Sequence, residues 1–106
     1  MPRVQINWTD PALDDLDGIF AYIAKDAPSY AQNFIAQIMQ AVDRLEDFPQ
    51  SGRKVPESAR DDVREVLFQS YRIMYWIVDA TRVDVVAVVH GSRDFSSPAN
   101  QPWEIG

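Results

Sequence analysis

The sequence contains no cysteine and only one histidine, His90. Without cysteine there are no disulfide bonds and no thiolate sites for metal or redox chemistry, and one histidine cannot build a histidine-rich zinc site. The apolar runs fall far short of the roughly 20 residues that a membrane-spanning helix needs, and the N-terminus has no apolar signal core. We therefore expect a cytoplasmic protein with no membrane partner, no metal and no cofactor.

Basic residues are also scarce. Lysine and arginine number 10 against 16 acidic residues, which gives a net charge of −6. The excess lies in residues 1–47, which hold eight acidic and three basic side chains, whereas residues 48–94 hold seven of each. An acidic first half argues against broad nucleic-acid binding, which depends on lysine and arginine at the phosphates, but it allows a local basic site in the second half.

A chain of 106 residues has room for one domain with one core. We assign this domain to residues 1–95. Residues 96–106 are rich in turn-forming residues, and we expect them to form a flexible C-terminal tail.

The first half has the pattern of one strand and two helices. Residues 4–8 alternate between apolar and polar side chains, which predicts a short strand. Asp10 and Pro11 predict a helix start with Asp10 as the cap, whereas Pro28 and Ser29 predict the end of that helix and the cap of a second one. Two apolar stripes predict the buried helix faces: Ala12, Leu13, Leu16, Ile19, Phe20 and Ile23, then Ala31, Phe34, Ile35, Ile38, Val42 and Leu45.

The second half has the pattern of a loop followed by a β meander. Residues 49–61 contain two prolines and one glycine without periodicity, which predicts a loop. Residues 63–68, 71–78 and 83–90 predict three antiparallel strands joined by short hairpins. The predicted fold class is α+β, with a helical hairpin packed on one face of a small, mainly antiparallel sheet.

Loop lengths predict which side chains share a face of this meander. A two-residue first loop places Leu67 opposite Arg72, and a three-residue second loop places Arg72 opposite Val88. The face that should take the helices holds Val66, Phe68, Tyr71, Ile73, Tyr75, Ile77, Val83, Val85, Ala87 and Val89. The second face, which we expect to be open to a partner, holds Glu65, Leu67, Arg72, Met74, Trp76, Asp84, Val86, Val88 and His90. A two-residue second loop would invert the last strand.

This order of elements resembles the RelE/ParE superfamily of toxins from type II toxin–antitoxin systems. The resemblance covers residues 4–94 and rests on WTDPA at 8–12, FPQSGR at 48–53, VREV at 63–66, YRIMY at 71–75 and VVHGSRD at 88–94. The last stretch is similar to the ending of the ParE-type branch. The resemblance implies inhibition of growth by binding DNA gyrase and trapping it on cleaved DNA, without catalysis, as in plasmid stabilization systems. It also implies neutralisation by a cognate antitoxin, which we expect the neighbouring upstream gene to encode.

The RelE-type branch is the first alternative, because it shares the fold and cleaves mRNA on the ribosome. By resemblance, Arg72 and Arg93 match two arginines of that ribonuclease site, and Lys54 lies near one of its lysines. His90 is a separate candidate for proton transfer, because an imidazole can gain or lose a proton near neutral pH. The tyrosine that those enzymes carry after the last strand is missing, since residues 95–106 contain none. We therefore favour a protein that is not an enzyme. A non-toxic relative that only binds a partner is the second alternative.

The residues that we expect to bind the target or the antitoxin are Arg72, Arg93, Trp76, Met74, Arg53 and Lys54. Each has a structural alternative. Arg72 could instead form a diagonal ion pair with Glu65, and Met74 with Trp76 could fill a small second core under a loop or the tail. His90 could simply fix a turn by a hydrogen bond.

Overall fold

A computed structural model describes residues 3–93, 95, 97 and 101–104. The strands are β1 (Gln5–Trp8), β2 (Arg53–Lys54), β3 (Val63–Phe68), β4 (Tyr71–Asp79) and β5 (Arg82–His90). The helices are α1 (Asp10–Ala24) and α2 (Pro28–Asp43), and a 3-10 turn, Arg44–Glu46, follows α2. None of the helices in the described ranges is long and apolar enough to cross a membrane.

The five strands form one sheet in the order β1-β5-β4-β3-β2. β1 runs parallel to β5, and the remaining neighbours are antiparallel. The predicted α+β fold with a mainly antiparallel sheet is therefore confirmed. Strand β2 lies inside the predicted loop 49–61, and two residues are too few to show a period.

The helices begin earlier than predicted, α1 by one residue and α2 by two. Thr9, not Asp10, caps α1: its Oγ1 accepts a hydrogen bond from the N–H of Ala12 at 3.3 Å. Helix α2 begins at Pro28 without a side-chain cap, so Ser29 lies inside the helix and does not cap it.

The apolar stripe of α2 is buried as predicted except at Ile35, which is half-buried, whereas the stripe of α1 is buried only in part. Leu13 and Phe20 are 41% and 37% exposed. Helix α1 turns Ala12 and Leu16 towards the sheet, and Asp15 takes a place beside them. Its carboxylate accepts the backbone N–H of Val88 at 2.9 Å, so a polar contact occupies the arc in which the sequence predicted a wider apolar stripe.

The predicted register holds for β3–β4 and for the first part of β4–β5. Leu67 pairs with Arg72. The second loop has two residues, because Asp79 pairs with Arg82. A register shift between Ile77 and Asp79 nevertheless places Ile77 opposite Val83, which is the pairing that a three-residue loop would give. The last strand is therefore not inverted at its start.

A β-bulge makes the rest of the predicted register wrong. Tyr75 pairs with Val85 but Met74 pairs with Ala87, so β5 contains one extra residue, Val86. One extra residue exchanges the faces of everything beyond it. Arg72 therefore lies opposite Val89 and not Val88. Of the side chains beyond the bulge, Ala87 and Val89 lie on the second face, whereas Val88 and His90 lie on the helix face.

The sheet has a core on each face. The larger core packs the helices on one face around Ile38, Ile73 and Tyr75. The second face is covered and not open as predicted, because a second core lies there: Val55, Val63, Met74, Val86, Ala87, Val89, Phe95 and Trp103.

Trp103 is only 3% exposed. The expected loose tail is therefore wrong at this residue, since a large apolar side chain is removed from water. Residues 96, 98–100, 105 and 106 of the predicted tail lie outside the described residues. The division between residues 95 and 96 stays a prediction.

Candidate functional site

A cluster of arginine and glutamate side chains lies at one end of the second sheet face, centred on Arg72 of β4. Its Nε donates a hydrogen bond to Glu65 Oε1 at 2.7 Å. Its Nη1 and Nη2 donate to the two oxygens of Glu57 at 2.8 and 2.6 Å, and Nη1 also lies 3.5 Å from the carbonyl oxygen of Arg93. The hydrogen bonds to Glu57, and then those to Glu65, hold the pKa of Arg72 above its ordinary range.

Glu65 connects this arginine to the edge strand β2. Its side chain is fully buried, and its second oxygen, Oε2, accepts a 2.6 Å ion pair from Arg53. Strand pairing explains the arrangement, because Arg53 lies opposite Glu65 in β2–β3 and Arg72 is diagonal to Glu65 across β3–β4. Two arginines and two glutamates leave the cluster electrically neutral.

Glu57 comes from the loop between β2 and β3, and its side chain is 18% exposed. The hydrogen bond from Arg72 lowers the pKa of Glu57 below its ordinary value. Glu57 and Arg72 together line an open cleft of about 370 Å³ at the β3–β4 turn, where Gln69 adopts the left-handed φ of 51°. The remaining lining residues are Arg53, Pro56, Leu67, Ser70, Tyr71 and Gly91.

The ring of Phe95 brings Arg93 close to this cluster. The guanidinium carbons of Arg72 and Arg93 lie 5.8 and 5.2 Å from the ring centre, within the range of cation–π attraction. Phe95 itself is buried, whereas Arg93 is exposed. Of the predicted site residues, Arg53, Arg72 and Arg93 are therefore neighbours.

Met74 and Trp76 do not form the open hydrophobic surface that we expected. Met74 is fully buried in the second core, so it cannot contact a partner in this structure. Trp76 is half-buried; its Nε1 donates to Asp62 at 2.9 Å, and the guanidinium of Arg60 lies 5.7 Å from its ring centre. The alternative of a small second core describes both side chains.

Lys54 and His90 lie apart from Arg72. Lys54 forms an exposed 2.6 Å ion pair with Asp61. The ring of His90 packs edge-on against Tyr71 on the helix face, with Nδ1 2.8 Å from Ser92 Oγ and accepting the Ser92 N–H at 3.2 Å. The alternative of a turn-fixing histidine describes this geometry.

Two members of the cluster, Glu57 and Phe95, were missed from the sequence. Glu57 lies in a loop without periodicity, and Phe95 follows the last strand, so neither position has a pattern that indicates its contact. Among the residues that the structure describes, no group of three or more histidine, aspartate or glutamate side chains could hold a metal ion.

Comparison with known proteins identifies a family and several relatives. The family model described as "ParE toxin of type II toxin-antitoxin system, parDE" matches residues 6–95. The candidate toxin Y4kP of Sinorhizobium fredii is 38% identical over 105 residues, which cover 97% of this chain and 96% of that protein. Toxin RelE2 of Caulobacter vibrioides is 33% identical over 89 residues, covering 84% of this chain and 97% of that protein.

Solved structures share the fold at lower identity. The chromosomal ParDE toxin–antitoxin system of P. aeruginosa contains a chain that matches with a TM-score of 0.70 and 20% identity, covering 83% of this chain and 96% of that one. The toxin–antitoxin complex RelBE2 of Mycobacterium tuberculosis matches with a TM-score of 0.58 and 22% identity, covering 85% and 99%. The free E. coli toxin RelE, in a doubly substituted form, matches with a TM-score of 0.62 and 15% identity, covering 97% and 92%.

Proposed function

This chain belongs to the ParE family of toxins of type II toxin–antitoxin systems, and we propose that it inhibits DNA gyrase by binding and not by catalysis. The proposed site of action is the cytoplasm, and the proposed result is gyrase held on cleaved DNA and arrested growth. Family membership covers both RelE-named and ParE-named proteins, so the choice of gyrase rests on the site.

The placement of the three candidate ribonuclease side chains carries this proposal. Cleavage of RNA needs cations free to neutralise a phosphate and a group to move protons, all at one place. All three nitrogens of the Arg72 guanidinium donate hydrogen bonds to two carboxylates, and those carboxylates would repel a phosphate. His90 lies on the opposite sheet face from Arg72, against Tyr71. A surface of this kind favours contact with a protein.

Arg93 is the side chain on which we place the target contact. It is exposed, carries a charge, and is held over the ring of Phe95 at the rim of the cluster. Arginine on an aromatic platform beside apolar surface is typical of residues that dominate protein interfaces. Arg53 and the exposed Leu67 extend the same rim, and Lys54 adds a charge next to Arg53.

We also propose that a cognate antitoxin neutralises this toxin. Two of the structural relatives are toxin–antitoxin assemblies, namely the P. aeruginosa ParDE system and the M. tuberculosis RelBE2 complex. A small reading frame immediately upstream is the expected source. Co-expression of its product should restore growth, and co-purification of the two chains would establish the pair.

The ribonuclease alternative retains one favourable observation, which is the proximity of Arg72 and Arg93 on a shared ring. One experiment separates the two targets. The purified chain is assayed for inhibition of gyrase supercoiling with accumulation of cleaved DNA, and in parallel for cuts in mRNA on programmed ribosomes. We expect the first activity and not the second. Cuts in ribosome-bound mRNA with normal gyrase would establish the ribonuclease, and no effect in either assay would favour a non-toxic partner-binding protein.

A matched pair of variants locates the activity. Arg93→Gln should abolish gyrase inhibition, whereas Arg82→Gln should retain it. Arg82 begins β5 at the opposite end of that strand, and its side chain is also exposed, with its Nε 3.0 Å from Asp84. Equal loss of inhibition in both variants would show that overall charge and not the cluster decides binding.

A further inference from the structure

The two carboxylates that hold Arg72 differ in how easily they could be removed. Glu65 has a fully buried side chain, comes from the middle of β3, and is shared with Arg53. Glu57 is partly exposed, comes from a loop without regular structure, and lines the open cleft. Glu65 therefore belongs to the framework of the sheet, whereas Glu57 is placed between the guanidinium and solvent.

Glu57 also binds the end of the Arg72 guanidinium that best recognises anions. It accepts one hydrogen bond from each terminal nitrogen, Nη1 and Nη2, in the bidentate geometry that arginine otherwise offers to phosphate or to an external carboxylate. Without Glu57 these two donors would face the cleft. The remaining cluster of Arg53, Arg72 and Glu65 would then carry a net positive charge, with the exposed guanidinium of Arg93 nearby.

From this geometry we infer that Glu57 determines the specificity of the cleft by occupying Arg72 and excluding phosphate groups. The cleft therefore excludes nucleic acids and remains able to bind a protein surface. Discrimination of this kind is achieved by building an unfavourable charge against the unwanted ligand. The inference deepens the proposed function, and it rests on that proposal only for the choice of a protein as the partner.

The test compares two variants that each remove one negative charge from the same loop. Glu57→Gln frees Arg72, and Asp61→Asn frees Lys54, with which Asp61 forms an exposed 2.6 Å ion pair. The first probe is inorganic phosphate, followed by the NMR signal of the Arg72 Nε–H group. The second is a labelled single-stranded oligoribonucleotide, whose binding is measured at about 50 mM salt, where phosphate contacts are strong.

Glu57→Gln should show a saturable shift of the Arg72 signal with phosphate. It should also bind the oligoribonucleotide about tenfold more tightly than the unmodified protein, as one gained charge-assisted contact would give. Asp61→Asn should show neither change, and Glu57→Asp, which keeps the charge, should behave as the unmodified protein. Glu57→Ala repeats the test without the amide of glutamine, and the NMR spectrum verifies that each variant is folded.

Equal RNA binding by Glu57→Gln and Asp61→Asn would overturn the inference, because net charge alone would explain it. An Arg72 signal that does not respond to phosphate in either Glu57→Gln or Glu57→Ala would overturn it as well. Neither measurement involves gyrase. If Glu57→Gln gained phosphate binding but the unmodified protein failed to inhibit gyrase, the proposed function would be wrong and the role of Glu57 would stand.

Discussion

At the scale of single residues, Arg72 combines a structural role with a place in the candidate site. Its side chain is only 6% exposed, so its charge has been taken out of water at a substantial cost. Hydrogen bonds to Glu65 and Glu57 offset that cost, and the guanidinium also lies over the ring of Phe95. Removal of either carboxylate therefore leaves the buried charge of Arg72 with only one carboxylate to offset it.

Arg72→Ala should destabilise the fold strongly, by about 3–5 kcal/mol, which is typical when one member of a buried pair is removed. Glu65→Ala should also be destabilising, and the double variant should recover part of the combined loss because the two effects share one contact. Urea unfolding of the three variants measures this. The contrary result would be an Arg72→Ala protein that keeps its melting temperature within a few degrees but no longer inhibits growth, since that outcome would assign Arg72 to the target alone.

Glu57 makes stability depend on pH in a defined direction. Its folded-state pKa lies below its ordinary value of 4.5, so the ionised form stabilises the folded protein. This contribution is fully present above about pH 5 and is lost as pH falls through the folded-state pKa. We expect Glu57→Gln to be less stable than the unmodified protein at pH 7, by about 1–3 kcal/mol for a hydrogen bond to a charged group.

Chemical unfolding at pH 7 and at lower pH checks this expectation. The difference between Glu57→Gln and the unmodified protein should shrink steadily below about pH 4.5. Asp61→Asn is the control, because its ion pair with Lys54 is exposed and screened by solvent. A difference that stays constant with pH would mean that the Glu57 charge plays no part in stability.

At the scale of the elements, the bulge in β5 decides which side chains reach which face. Helix α1 supports the bulged strand, because Asp15 accepts the N–H of Val88 two residues after the extra residue. Burial raises the pKa of Asp15, and the hydrogen bond from the Val88 N–H offsets part of that effect. This hydrogen bond connects helix α1 to the irregular part of strand β5.

The packing of the segment before β2 against the Tyr75 side chain of β4 depends on Gly52. Its N–H donates to Tyr75 Oη at 3.0 Å, and the same hydroxyl donates to the carbonyl oxygen of Pro49 at 2.7 Å. A methyl group at position 52 would lie 2.6 Å from that hydroxyl oxygen and 2.7 Å from the carbonyl oxygen of Glu65. Gly52→Ala should therefore destabilise the fold by about 1–3 kcal/mol through overpacking.

Gly18 in α1 is the matched control, because a methyl group there would meet no atom within 4 Å. Gly18→Ala should stabilise the protein by about 0.5–1 kcal/mol, since alanine loses less backbone freedom in a helix. Melting temperatures of the two variants should therefore move in opposite directions. A Gly52→Ala protein as stable as the parent would show that the edge strand is not held by this contact.

Periodicity predicts the elements of this fold well and their irregularities poorly. The helices and the three long strands follow from regular apolar spacing, and the first hairpin register follows from loop length. The extra residue at Val86 leaves no trace in a run of five apolar residues from Val85 to Val89, because such a run is compatible with either face. For the same reason the sequence placed His90 on the same sheet face as Arg72. Glu57 was missed for a different reason, because its loop has no periodicity.

At the scale of the whole molecule, the sheet separates two cores of unequal kind. One consists of helices packed on strands, and the other of strands covered by loop residues, Phe95 and Trp103. Strand β4 contributes to both, with Ile73 and Tyr75 on one side and Met74 on the other, all fully buried. Because the same strand is buried from both sides, the two cores should unfold together.

Cooperativity between the cores can be measured with the tryptophans. Trp76 and Trp103 report on the second core, and Trp8 packs against the helix core, so Trp8→Phe leaves fluorescence from the second core alone. In that variant, unfolding by urea should give coincident transitions by fluorescence and by far-ultraviolet circular dichroism, which follows the helices.

Ile38→Ala should shift both transitions together by about 2–5 kcal/mol, the cost of a cavity in the helix core. Met39→Ala, at an exposed position of the same helix, should shift neither. If the fluorescence transition instead came at lower urea and were unaffected by Ile38→Ala, the segment around Trp103 would unfold independently of the helix core. The second sheet face would then become accessible to a partner whenever that segment unfolded.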